Sequence, residues 1–114
     1  MKVVTDKVID AADISASVDG SLILVDQLYG FSVQAVVTGS SPVGTFKAQF
    51  SNDPVQLSTQ VANWTDIPSA TASVSAVGTY GFIVTESFYR WVRFVYTRTS
   101  GTGALTANLC GKGV

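Results

Sequence analysis

Histidine is absent from this chain, which removes the commonest general base and the commonest metal ligand together. Nucleophilic alternatives are thin as well. The single cysteine, Cys110, has no imidazole to activate it, and Lys2, Lys7, Lys47 and Lys112 lie near the termini or on an exposed strand face. The composition argues against an enzyme, and no cofactor or metal site is expected. One cysteine allows neither an intrachain disulfide nor a thiolate metal site; near the end of an alternating run, Cys110 reads as a small buried apolar residue. Charge is scarce too, at 13% Asp, Glu, Lys and Arg against ~25% in ordinary soluble domains. Such a surface suits contact with other protein, copies of itself included, better than life as a free monomer. The net charge of −1 gives no basic footprint for nucleic acid. No apolar run reaches the ~20 residues of a bilayer span or forms a leading signal segment, so the chain is expected off the membrane, in a reducing cytoplasm.

What charge there is lies unevenly. Residues 1–26 carry five aspartates against two lysines, and the rest of the chain five Lys or Arg against three acids. Asp6, Asp10, Asp13 and Asp19 fall in the least regular stretch, 1–20, which reads as an N-terminal assembly arm or a first edge strand; 21–114 reads as the domain itself. An acidic leader and a basic body can dock head to tail between identical subunits, and the plainer alternative is two solvated faces of one domain. The acids match no EF-hand loop, whose Asp/Asn positions, Gly and closing Glu have a fixed spacing, so solvated carboxylates are the better reading.

The remainder is dominated by alternation with period two and by turn residues. At 114 residues the chain makes one domain able to bury roughly two thirds of its unfolded surface. Strand signals fall at 21–28 (SLILVDQL), 31–38 (FSVQAVVT), 44–51 (GTFKAQFS), 63–68 (NWTDIP), 71–76 (TASVSA), 79–85 (TYGFIVT), 89–97 (YRWVRFVYT) and 104–111 (ALTANLCG). The alternation turns Phe31, Val33, Ala35 and Val37 inward, then Phe46, Ala48 and Phe50, then Tyr80, Phe82 and Val84, then Leu105, Ala107 and Leu109. Gly, Ser and Pro at 39–44 read as a turn, and Ser100-Gly101-Thr102-Gly103 as the tight loop of a closing hairpin. About eight short strands at this spacing predict an all-β, single-domain antiparallel β-sandwich or jelly roll.

Remaining motifs are weak. Gly101-Thr102-Gly103 has no helix behind it to make a phosphate cradle, and Asn63-Trp64-Thr65 fits a glycosylation pattern without a secretory signal to make it relevant. The densest stretch is YRWVRFVYT, residues 89–97. One parity, Val92, Phe94 and Tyr96, reads as core, with Arg90 and Arg98 at its ends reaching water. The other carries Tyr89, Trp91 and Arg93, which form an interface if covered and the one plausible ligand patch if open.

Taken together, LYGFSVQAVVTGSSPVGTFKAQFSNDP, NWTDI, VGTYGFIV, FYRWVRFVYTRTSGTGALTANL and the closing GKG resemble small β-sandwich proteins of tailed bacteriophages and prophages, over about residues 28–113. The resemblance implies a virion part without catalytic residues. Such a part is a capsid decoration protein in many symmetric copies, or an accessory of tail, collar or fibre. Its partners are then other copies of itself and virion proteins such as the major capsid protein, and its location the virion, assembled in the host bacterial cytoplasm. The run around Trp91 is also similar to a late strand of discoidin-like jelly rolls, which implies a glycan-binding alternative through Tyr89, Trp91 and Arg93.

Overall fold

In the computed structural model, which describes residues 2–113, six antiparallel strands make the fold. They are β1 (Lys2–Asp13), β2 (Val18–Leu24), β3 (Leu28–Ser51), β4 (Thr65–Val74), β5 (Gly78–Val84) and β6 (Trp91–Gly113), with one 3₁₀ turn at Ser58–Gln60. The strands β3 and β6, 24 and 23 residues long, pair with each other from Leu28 opposite Gly113 to Ser51 opposite Trp91. They are the spine of the molecule.

Halfway along, both strands break register together, β3 between Ser40 and Gly44 and β6 across the facing residues. The backbone there takes left-handed values that a flat strand does not use: Gly39 at φ 124°, Ser41 at 48° and Gly101 at 80°. At Gly101 a Cβ would sit 2.1 Å from the Ser41 carbonyl oxygen, so the two chains approach as closely as they do only because the side chain is missing. The result is a bulged corner rather than a turn. On one side of it, β1, the end of β6, the start of β3 and β5 lie side by side; on the other, β2, the start of β6, the end of β3 and β4 do.

These two four-stranded halves face each other across an apolar core. Phe31 and Phe82 of the first half meet Phe94 and Phe46 of the second, with the Phe31–Phe94 pair edge to face at 6.1 Å and Phe46–Phe94 within the second half stacked at 5.9 Å. Val33, Ala35, Val37, Ala48, Val92, Leu105, Ala107 and Leu109 fill the rest. At the edges, β1 touches β2 and β4 touches β5, so the sandwich is nearly closed into a flattened barrel.

The inward residues expected from the alternation are inward here, with Phe50, Tyr80 and Phe82 half-buried at the margin of the core. Three expectations are corrected. The strands number six, not about eight, because 31–38 joins 44–51, 63–68 joins 71–76, and 89–97 joins 104–111, while β1 is added. The last two runs are not a hairpin: both pair with β3, because positive φ at Gly101 bends the strand without reversing it. Cys110 is exposed, since Leu109 beside it takes the inward position and alternation leaves the thiol outside. Pro68 survives inside β4 because β4 is an edge strand, where a missing N–H leaves no ladder partner unsatisfied.

Candidate functional site

Of the residues picked from sequence, the outer face of the second half carries Trp91, Arg93 and Asp19. Register places Leu22, Arg93, Gln49 and Asp66 in one row across β2, β6, β3 and β4. Directly paired residues point to the same side, so this row builds a chain of hydrogen bonds on its own. Arg93 Nε donates to Gln49 Oε1 at 2.9 Å, Gln49 Nε2 donates to Asp66 Oδ1 at 2.8 Å, and Lys47 Nζ donates to Asp66 Oδ2 at 3.1 Å. Those two donors, Gln49 first and Lys47 second, hold the Asp66 carboxyl below its ordinary value. The Arg93 guanidinium lies 4.6 Å from the centre of the Trp64 ring, and its Nη1 is 3.9 Å from Asp19 Oδ2.

Trp91 sits one row along, opposite Leu24 and Ser51. It is buried, at 6% exposure, with its indole N–H unpartnered, and the Arg90 guanidinium is 5.8 Å from its ring. Arg90 is tied down in turn: its Nη2 donates to the Val55 carbonyl at 3.0 Å, its Nη1 is 3.7 Å from Asp26, and its amide donates to Asn52 Oδ1. The neighbouring loop is held by Asp53, whose carboxylate accepts from the Ala62 and Asn63 amides and the Asn63 side chain. Those three donors, with Ala62 the strongest, bring the Asp53 pKa down to about 2.

The structure therefore separates the three aromatic-strand residues. Trp91 and Arg93 share the outer face, the first covered and the second engaged with Trp64, Gln49 and Asp19. Tyr89 precedes β6 and turns the other way, stacking on Phe50 with ring centres 4.3 Å apart. Sequence reading missed Gln49 and Asp66, which only the β6–β3–β4 register connects to Arg93.

Of the four leading aspartates, Asp6 and Asp10 are exposed on β1, with Asp10 3.7 Å from Lys7. Asp13 accepts from Ser15, whose side chain first and amide second hold its carboxyl below the ordinary value, and Asp19 faces Arg93. The segment 2–13 is a strand whose Val8 and Ile9 are buried, so these acids are carried on the sandwich itself.

Fold and surface together define an antiparallel β-sandwich without a cluster of metal-ligating side chains among the described residues. No protein-family model matches the sequence, and no curated protein is detectably similar to it. Solved structures of similar shape do exist. The SPBc2 prophage-derived protein YomS is 9% identical with a TM-score of 0.60, over 96% of this chain and 93% of that one. The PBSX exported protein XepA is 16% identical with a TM-score of 0.69; the match takes in 97% of this chain and 37% of XepA. A sandwich of the same shape forms 10% of tripeptidyl peptidase 2, at 13% identity and a TM-score of 0.59. At such identities the shared property is the fold.

Proposed function

We propose that this chain is a non-enzymatic structural protein of a bacteriophage or prophage particle, decorating the head in many symmetric copies, with a tail, collar or fibre position as the alternative. The observation that carries the reading is the near end-to-end correspondence with YomS, a prophage-derived protein of almost the same extent. The PBSX exported protein XepA carries the same fold over part of its length. The chemistry of the surface is consistent: 25 of 114 residues are Ser or Thr, charge is low, and the best-built polar cluster ties its own side chains together instead of aiming them at a reacting atom. Arg93 with Trp64 supplies a half-buried patch of the residue types enriched at protein interfaces, and Asp6 and Asp10 put acid on the edge strand β1 of the other half in the assembly reading.

Immunogold electron microscopy of purified particles with an antibody to this chain tests the proposal. Label on the head in regular array supports decoration, and label confined to the tail or collar supports the alternative. Particles free of the chain, both by label and by mass spectrometry, refute both.

A further inference from the structure

The two outer faces of the sandwich differ in one chemical respect. On the second half, the polar side chains consume one another. On the first half, two complete rows cross the four strands: Thr5, Cys110, Ser32 and Ile83, then Lys7, Asn108, Gln34 and Gly81. These side chains line an open trough of about 1060 Å³, just above the ~300–1,000 Å³ typical of ligand clefts. Four strands at ~4.8 Å spacing make it about 14 Å across.

Among the described residues, the amides of Gln34 and Asn108 have no hydrogen-bond partner within the protein, nor do the hydroxyls of Thr5 and Ser32. Each amide offers two donors and an acceptor, and each hydroxyl offers both. Charge contributes little: Lys7 faces Asp10 at 3.7 Å, and Asp6 is the other acid on the rim. Gly81, with no side chain, leaves the end of its row open, and Ile83, 73% exposed, gives an apolar wall beside it.

We propose that this trough binds a neutral glycan chain. An ionic ligand finds no net countercharge there. An apolar ligand would strip water from two amides and return no hydrogen bond, which costs on the order of 1–3 kcal/mol per stranded group. A polyhydroxylated neutral chain matches the donors and acceptors one for one and rests its ring C–H faces on Ile83. An extended peptide seeks the backbone groups of a strand edge, whereas this surface presents side chains from the middle of a sheet. The assignment moves glycan recognition away from Tyr89, Trp91 and Arg93 to the opposite face, and it stands whether or not the chain is part of a particle.

The test is an NMR titration of the full chain, with maltohexaose and a hexamer of N-acetylglucosamine as soluble probes, alongside a neutral-glycan array. Expected are shifts confined to the amides of residues 5–7, 32–34, 81–83 and 108–110. Gln34→Ala and Asn108→Ala should each weaken binding about ten-fold, the equivalent of one good hydrogen-bonded pair. Both side chains are exposed, so the variants should keep the wild-type spectrum elsewhere, and Arg93→Ala on the far face should bind normally. The proposal is overturned by silence of both probes and the array at millimolar sugar, by binding that survives the Gln34 and Asn108 variants, or by shifts that map to the Arg93 face.

Discussion

Tyr96 is the largest fully buried side chain, and its hydroxyl has no partner. Burial, the main influence, pushes that hydroxyl above the ordinary phenol range. A stranded buried donor costs stability, so Tyr96→Phe should stabilise the fold by about 1 kcal/mol, raising the melting temperature by several degrees for a domain this small. A lower melting temperature would show that the hydroxyl is bonded after all. Asp53 gives the complementary case on the surface. Its folded pKa of about 2 lies below the ordinary 3.8, so its hold on the 52–63 loop is complete above the ordinary value and lost as pH falls through about 2. The Ala62 and Asn63 amide shifts should titrate together with a midpoint near 2; a midpoint at the ordinary carboxylate value would mean that the loop is not anchored this way. Tyr96 was legible as core from its parity, but its missing partner was not, and an Asp before Pro54 signals a turn without saying which amides, nine and ten residues on, it will bind.

At the scale of strands, alternation made the inner faces readable because each step of two residues returns to the same side, and one apolar face is a strong signal. It did not reveal where strands end. The composition of 39–44, Gly-Ser-Ser-Pro-Val-Gly, suits a reversing turn and a bulged corner equally well. What decides between them is a partner some sixty residues away, breaking register at the same point. The first strand, which the sequence offered only as the alternative to an arm, was obscured for a similar reason. Its alternation is interrupted by bulges after Lys7 and Ile9, and Ala11 takes a left-handed φ of 47°. The same dependence hid the candidate patch: Arg93 was singled out, whereas Gln49 and Asp66 are ordinary outward residues until register puts them in its row. The corner also makes a sharp prediction. Gly101→Val places a branched Cβ at positive φ against the Ser41 carbonyl, and strain of this kind costs about 1–3 kcal/mol. Urea denaturation should show the midpoint falling with the slope unchanged, while Ser100→Ala, one residue away and exposed, should be close to neutral. A Gly101→Val variant as stable as the parent would remove the corner as a structural requirement.

For the whole molecule, the pairing of β1 with the last residues of β6 and the full-length β3–β6 ladder make nearly every sheet contact distant in sequence. Chains of this kind close long loops before they gain much, so refolding should take milliseconds to seconds, with one exponential phase. Microsecond folding in stopped-flow and temperature-jump experiments would contradict the topology. Because both halves share β3 and β6, neither should melt alone, and tryptophan fluorescence at Trp91 should report the same transition as far-ultraviolet circular dichroism. The same ladder fixes how the sandwich answers to force. Lys2 lies opposite Gly113, so the two ends of the described chain leave from neighbouring positions at one edge. Tension applied between them peels β1 from β6 one residue pair at a time instead of shearing all the bonds at once. Such a module is a weak link when pulled by its ends, and a firm one when load enters across its faces.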